Sequence, residues 1–143
     1  ISPGDIFSQL AGVYGESDRY YHTAQHIEEC LKHFSAYRES AEYPAEIEVA
    51  IWFHDAIYDT TKPDNEAQSA EWAKRYLTEK AVDSEAADRI VEMIIATKHH
   101  QSKTVDSALM VDIDLGILGA STDAFEAHDA AIRKEFHWVP TVP

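Results

Sequence analysis

Apolar residues recur at helical spacing along most of the chain, and this pattern limits the fold more than any other feature. The stretch from residue 84 to about 98 is an example, with an apolar stripe of Ile90, Val91, Ile94 and Ile95. Glycine is scarce, with five residues, and alternating strand patterns are nearly absent. The sequence therefore predicts an all-α fold. No internal repeat or long linker divides the 143 residues, so we expect one domain spanning 1-143.

Capping and breaker residues place the helix boundaries. We predict helices at about 5–14, 20–38, 65–80, 84–98 and 122–138, a helix or tight helical turn at 107–119, and a central helix that Pro44 opens at its first turn. Ser84 is the predicted cap of the helix that it begins. The inward residues predicted for 65–80 are Ala70, Ala73, Tyr76 and Leu77.

The charge balance, the apolar runs and the cysteine count together exclude several classes of partner and location. Twelve basic and 26 acidic residues give a formal charge of -14, which repels a phosphate backbone, so we expect no nucleic-acid polymer as partner. No apolar run reaches the roughly 20 residues of a membrane span. The N-terminus has no secretory pattern, and Cys30 alone cannot form a disulfide framework. Cys30 also has no cysteine partner for a zinc motif, so we interpret it as a residue of the core or of a helix face. We expect a cytoplasmic protein.

The chain begins at Ile1 without Met and stops at Pro143, just after a helical pattern. We therefore expect trimmed ends, with a truncated C-terminus.

A His-Asp pair, His54-Asp55, lies inside the apolar segment 50–60. Because Ile47, Ile51 and Tyr58 around it recur at helical spacing, we predict a mostly buried helix that includes the pair. An ionised buried Asp needs a partner, and a metal cation is one such partner. A helix-terminal His and Asp that face water would give the same local pattern.

Two further pairs could complete a site. His22 and His26 are four residues apart on a predicted helix, so both would project from one face. Asp112 and Asp114 interrupt an apolar segment, and in a helix they point roughly 200° apart, so at most one faces a shared interior point. Solvation or helix capping would explain these acids equally well.

Taken in order, Tyr21-His22-Thr23-Ala24-Gln25-His26-Ile27, Phe53-His54-Asp55 and Asp112-Ile113-Asp114-Leu115 resemble the H…HD…D motif of the HD-domain metal-dependent phosphohydrolases. The segments at 64–70, 117–119 and 132–136 also resemble the bacterial branch known as predicted HD phosphohydrolases. The resemblance covers residues 20 to 136 and implies a single HD-type helical bundle with a metal site in its centre.

The resemblance implies His26, His54, Asp55 and Asp114 as metal ligands, with Asp112 packing beside the site or facing solvent. HD families with two metals use extra histidines, and His100 is the main candidate here, ahead of His99. Two imidazoles and two carboxylates suit Mn²⁺, Fe²⁺, Co²⁺ or Zn²⁺ better than Mg²⁺. We therefore expect one or two ions, with His100 and Asp112 as candidates for a second.

Similarity to cyclic-nucleotide phosphodiesterases implies that His22 donates a proton to the leaving oxygen. The segment from His54 to Thr60 is similar to guanosine tetraphosphate hydrolases, in which a Glu-Asp pair after HD handles the attacking water. Here Tyr58 replaces the Glu, Asp59 is retained, and Glu66 could supply the missing carboxylate. The catalytic candidates are thus His22, Asp59 and Glu66.

The function implied is metal-dependent hydrolysis of a small phosphorylated, nucleotide-like substrate by a metal-activated water. A di-iron oxygenase on the same scaffold and a non-catalytic nucleotide- or partner-binding module are the alternatives. Trp52, Trp72 and Trp138 would either line a base-stacking pocket or pack in the core. The sequence does not specify the oligomeric state.

Overall fold

The computed structural model describes residues 3–140, with side chains described for 5–116 and 119–140. Ile1 and Pro143, and the side chains of Ile117 and Leu118, lie outside this description. Within residues 3–140 there are seven α-helices and no strand, which confirms the all-α prediction. The helices are α1 (Pro3–Tyr14), α2 (Ala24–Tyr37), α3 (Pro44–Phe53), α4 (Asn65–Glu79), α5 (Ser84–His99), α6 (Val105–Asp114) and α7 (Thr122–Glu135), with short 3₁₀ turns at Arg38–Ser40 and Gly116–Gly119.

Helix α5 lies at the centre of the packing and contacts α3, α4 and α6. Its buried residues Ile90 and Ile94 belong to the same continuous apolar core as Ile47 and Ile51 of α3. Burial of apolar surface at this interface is the main force that holds the bundle together. On α4 the predicted inward residues Ala70, Ala73 and Leu77 are buried, and Tyr76 packs against the core while partly exposed.

Two local predictions for α5 are wrong. Ile95 is 45% exposed, because it lies about 100° around the helix from Ile94 and outside the buried stripe. The N-terminal cap is Asp83, whose carboxylate accepts a hydrogen bond from Ala86 N at 3.1 Å, while Ser84 is the first helical residue.

Helix α2 begins later than predicted. It starts at Ala24, so His22 lies in the turn before the helix and does not share a helical face with His26. The reason is that the main-chain N–H groups of residues 20–22 donate to the carboxylate of Glu135, and Thr23 is in extended conformation.

Helix α3 ends earlier than predicted, at Phe53, so the helix does not continue to Tyr58. Side chains from the first part of the chain bind the carbonyl groups at its end. The Tyr14 hydroxyl donates to Trp52 O at 2.7 Å, and the Arg19 guanidinium donates to Asp55 O at 2.6 Å and Ala56 O at 2.8 Å. These bonds satisfy carbonyls that would otherwise lack partners where a helix ends, and they fix the backbone of the His-Asp pair.

The predicted helix at 107–119 divides into α6, which ends at Asp114, and the 3₁₀ turn Gly116–Gly119. The last predicted helix ends at Glu135, three residues before Trp138. Among residues 3–140, no helix combines the length and the apolar character that crossing a membrane requires.

The tryptophans divide between packing and surface. Trp52 and Trp72 pack against the core, with ring centroids 5.5 Å from Phe7 and 5.7 Å from Phe53 respectively. Trp138 is 49% exposed and donates from Nε1 to Thr60 Oγ1 at 2.6 Å. Core packing therefore accounts for Trp52 and Trp72.

Candidate metal centre

Three helix ends bring four sequence-predicted residues to one point. His26 lies in the first turn of α2, His54 and Asp55 follow the last residue of α3, and Asp114 is the last residue of α6. The two imidazole side chains are 4% and 1% exposed, and the two carboxylates 14% and 17%. The carbonyl ends of α3 and α6 carry partial negative charge, which adds to that of the carboxylates.

The donor atoms of these residues are separated by the distances expected around one ion. His54 Nε2 lies 3.3 Å from His26 Nε2, 3.2 Å from Asp114 Oδ1 and 2.9 Å from Asp55 Oδ2. His26 Nε2 lies 3.2 Å from Asp114 Oδ1 and 3.4 Å from Asp55 Oδ2. For metal–ligand bonds near 2.1 Å, neighbouring donors are about 3.0 Å apart in octahedral and about 3.4 Å apart in tetrahedral geometry.

The tautomer of His54 directs a lone pair into the cluster. Its Nδ1–H donates to the carbonyl oxygen of Ile51 at 2.6 Å, so in the neutral ring Nε2 carries the lone pair. A backbone carbonyl that holds the other ring nitrogen is the usual arrangement for a metal-binding histidine.

Asp55 supplies the clearest sign that a cation fits here. Its Oδ2 is buried and makes no hydrogen bond of acceptable geometry, although it lies close to both imidazoles. A buried carboxylate oxygen without a hydrogen bond is costly. A divalent cation between the four donors would compensate that cost, so the residues fit a metal.

Without an ion, protons take the place of the cation. Burial disfavours a charged imidazole at His26, but hydrogen bonds with Asp114 and Cys30 outweigh burial and raise the pKa of His26 to about 10. Burial likewise opposes the charge of His54, yet Asp55 and Asp114 hold its pKa well above the ordinary value. Burial also opposes ionisation of Asp55, but the His54 charge dominates and the Asp55 pKa falls to about 2. The cluster thus strongly favours positive charge at its centre.

His22 lies beside the cluster in a second arrangement. Its Nδ1–H donates to Glu135 Oε2 at 2.6 Å, and its ring stacks on Tyr58 with centroids 3.9 Å apart. The other oxygen of Glu135 accepts from the main-chain N–H groups of Tyr20, Tyr21 and His22 at 2.9, 2.6 and 2.8 Å. Burial opposes the charge of Glu135, but its bonds with His22 lower the pKa to about 2. Glu135 is therefore an anion that orients the imidazole and leaves Nε2 to exchange a proton.

The two predicted water-handling acids have different surroundings. Asp59 Oδ1 accepts from Thr61 N at 2.9 Å and Thr61 Oγ1 at 2.6 Å, and these bonds lower its pKa. Its side chain is 44% exposed, and it shapes the loop before α4. Glu66 is half-buried in the first turn of α4, near enough to Tyr58 to help raise the pKa of that phenol, whose main cause is burial. Within residues 3–140, no hydrogen bond or ion pair joins either acid to the four donors.

The candidates for a second ion do not lie in the cluster. His99 and His100 are exposed at the end of α5, where His100 has a left-handed backbone with φ 53°. Asp112 is exposed, whereas Asp114 is half-buried among the imidazoles. These two acids point in opposite directions because of the helical repeat. Only Asp114 therefore lies with the imidazoles, and the described side chains form one group of donors here.

A cavity of about 420 Å³ opens against His26 and Asp114. Tyr21 and the apolar residues Ile113, Ala120 and Ala124 line it, together with Glu29 and Lys32. The size falls within the range of small-molecule sites. A ligand in this cavity would contact the cluster directly.

Sequence reasoning missed three residues of the site. Glu135 lies in an amphipathic helix where an acid normally faces water, and only its position between Ile132 and Phe136 hints at burial. Arg19 is 6% exposed, although arginine is seldom buried, and nothing in its sequence context indicates its contacts with residues 55 and 56. Cys30 is buried in the core as predicted, and its Sγ also lies 3.7 Å from His26 Nε2.

Comparison with known proteins adds no relative. No protein-family model matches the chain, and neither does any curated protein or solved structure. The geometry of the site and the motif resemblance are therefore the features of this chain that bear on its function.

Proposed function

We propose that the chain is a metal-dependent phosphohydrolase of the HD type, with His26, His54, Asp55 and Asp114 as ligands of one divalent transition metal. The observation that carries the proposal is the convergence of the donors on His54 Nε2, which lies within 3.3 Å of a donor atom of each of the other three residues. One of these atoms, Asp55 Oδ2, is buried and has no hydrogen bond. A mixed nitrogen and oxygen donor set suits Mn²⁺, Fe²⁺, Co²⁺ or Zn²⁺. A bound ion of this kind lowers the pKa of a coordinated water and neutralises charge that develops on phosphorus.

The chain's own residues would supply the proton transfer. His22 lies next to the donors, and Glu135 holds its Nδ1–H at 2.6 Å, so Nε2 is the atom that would protonate the leaving oxygen. Such positioned acid catalysis typically contributes 10²- to 10⁴-fold to a rate. Glu66 is the better candidate of the two acids for orienting water, because Thr61 already binds the Asp59 carboxylate.

The cavity of about 420 Å³ beside His26 and Asp114 would hold the rest of the substrate. Its apolar wall of Ile113, Ala120 and Ala124, with the ring of Tyr21, suits a planar organic group. We infer a small phosphorylated, nucleotide-like molecule as the substrate class. A bound cation would also offset the repulsion between an anionic substrate and a chain of formal charge -14.

Elemental analysis of protein purified without chelator tests the metal centre. We expect about one transition-metal ion per chain, lost in Asp55→Ala and in Asp114→Ala. Asp112→Ala is the matched control, because Asp112 is an exposed acid on the same helix and its removal should leave the metal content unchanged.

Hydrolysis of p-nitrophenyl phosphate and bis(p-nitrophenyl) phosphate then tests the chemistry. We expect activity that a chelator abolishes, that Mn²⁺ or Co²⁺ restores and that His22→Ala reduces at least 100-fold while metal remains bound. A metal-loaded protein that hydrolyses neither ester nor any nucleotide would contradict the proposed reaction. The absence of metal, also after titration with Mn²⁺, Fe²⁺ and Zn²⁺, would contradict the site itself.

A further inference from the structure

Cys30 is in a position to take part in the cluster. It lies one turn after His26 on the same face of α2 and is 2% exposed. Its Sγ is 3.7 Å from His26 Nε2 and 3.9 Å from His26 Nδ1. The residue also lines the cavity that opens against His26 and Asp114. A cysteine that only packed the core would need no contact with the donors or with the cavity.

The sulfur is at a distance that a shared ion would give. His26, Cys30, His54 and Asp114 each offer a donor atom, and the four atoms lie within 4.8 Å of one another. Together with Asp55 these residues would make a five-coordinate site. With bonds near 2.3 Å to sulfur and 2.1 Å to nitrogen, two donors in such a site are about 3.1 Å apart at an angle of 90° and about 3.8 Å apart at 120°. The observed separation between Sγ and His26 Nε2 is 3.7 Å.

Asp55 and Cys30 would offer the ion two different kinds of donor, a hard oxygen and a soft sulfur. Asp55 Oδ2, a hard oxygen donor, is nearer to the imidazoles than sulfur is, at 2.9 Å from His54 Nε2 and 3.4 Å from His26 Nε2. Sulfur is a soft donor that favours Zn²⁺ and other thiophilic ions, whereas carboxylates alone also accommodate Mg²⁺ and Mn²⁺. The identity of residue 30 would therefore decide which ion the site prefers.

We propose that Cys30 supplies a thiolate donor to the metal centre, so that the site prefers thiophilic ions such as Zn²⁺ and Co²⁺ over Mn²⁺ and Mg²⁺. The inference rests on the proposed metal centre and narrows its metal. On coordination the thiol releases its proton to solvent and a sulfur lone pair forms the bond to the ion, with no change of oxidation state.

Titration of the metal-free protein with Co²⁺ tests the inference by absorption spectroscopy. Cys30 is the single cysteine of the chain, so a sulfur-to-cobalt charge-transfer band in the near ultraviolet reports on this residue alone. We expect that band together with visible ligand-field bands in the wild type. The Cys30→Ser and Cys30→Ala variants should keep the ligand-field bands and lose the charge-transfer band, and circular dichroism checks that both remain folded.

The outcomes separate this inference from the proposed function. Ligand-field bands without a charge-transfer band in the wild type would overturn the thiolate donor and leave the metal centre standing. The absence of all cobalt bands in the wild type would overturn both proposals.

Metal selectivity gives a second measurement. We expect Cys30→Ser to weaken Zn²⁺ binding by at least about 10- to 100-fold, which is the loss usual for a group that only supports a ligand, and to leave Mn²⁺ binding nearly unchanged. An equal loss of affinity for both ions would overturn the selectivity. Asp114→Asn is the matched comparison, because loss of a shared carboxylate should weaken both ions.

Discussion

Two buried acids hold loops in similar ways at different places in the molecule. Asp106, in the first turn of α6, accepts from the main-chain N–H groups of Glu42 at 2.7 Å and Tyr43 at 2.8 Å, just before α3. Glu135, the last residue of α7, accepts from three main-chain N–H groups just before α2. Both acids are under 10% exposed, and both hold the chain that leads into a helix.

The difference lies in the second oxygen. Asp106 uses one oxygen for each of two main-chain N–H groups, so both oxygens serve the architecture. Glu135 binds all three main-chain groups with Oε1 and uses Oε2 for the His22 ring. The same type of contact is therefore structural at Asp106, whereas at Glu135 it also orients a catalytic candidate. Variants of the two acids should therefore separate stability from activity.

The largest expected difference between variants of the two acids is in their catalytic activity. Glu135→Gln keeps one oxygen for the main chain but presents an amide N–H to His22 Nδ1, which reverses the tautomer and removes the orientation of Nε2. We expect kcat for p-nitrophenyl esters to fall by about 100-fold or more, whereas Asp106→Asn should change kcat less than threefold. Similar losses in both variants would show that loop anchoring alone explains the effect.

Both variants should destabilise the fold. Asp106→Asn turns an amide N–H₂ group towards one of its two main-chain donors. Glu135→Gln replaces the charged acceptor of three main-chain N–H groups by a neutral amide oxygen. A loss of this kind costs about 1–3 kcal/mol. Urea unfolding followed by circular dichroism measures this difference, and we expect similar values for Asp106→Asn and Glu135→Gln. A stability loss confined to Glu135→Gln would mean that the Asp106 contact contributes little.

The stability that Glu135 contributes should depend on pH in a defined range. Its pKa is lowered in the folded state to about 2 from the ordinary 4.5, because the bonds with His22 outweigh burial. Its stabilising effect is therefore complete above about pH 5 and is lost as the pH falls from 4.5 towards 2. The difference in unfolding free energy between wild type and Glu135→Gln should shrink in that range. A difference in unfolding free energy that stays constant down to pH 2 would contradict the lowered pKa of Glu135.

The smallest effect is expected at the surface contact of the same C-terminal segment. Thr60→Val removes the acceptor of the Trp138 hydrogen bond, which lies in an exposed region. We expect a change within about 0.5 kcal/mol and unaltered activity in the same urea and ester assays. A larger loss would show that this contact, and not Glu135 alone, attaches the end of α7 to the body of the protein.

The sequence predicted the helices well because each buries an apolar stripe, and stripes are local features. It was less successful where the burial of a residue depends on a distant segment. His54 and His99 both stand at the end of an apolar helix, yet His54 is buried and His99 is exposed. The difference arises because α2 and α6 approach the end of α3, and no local pattern encodes that approach.

For the candidate site, too, the sequence predicted some residues correctly and misplaced others. The ordered motif identified His26, His54, Asp55 and Asp114, and the structure brings these residues together; their role as ligands stays a prediction. The placement of His22 on a helix was wrong, because Glu135 captures the N–H groups that precede α2. An acid 113 residues away in sequence leaves no periodic signal around residue 22.

The long sequence separation of the donors has a consequence for the protein in a cell. His26 and Asp114 are 88 residues apart, so an ion held between them would join segments that are distant in the unfolded chain. An ion that binds only the folded state stabilises it by about 2.7 kcal/mol at a concentration 100 times its dissociation constant. If the proposed centre holds an ion, the lifetime of the protein would follow the supply of that ion, and chelation would expose the chain to proteolysis as well as abolish the proposed hydrolysis.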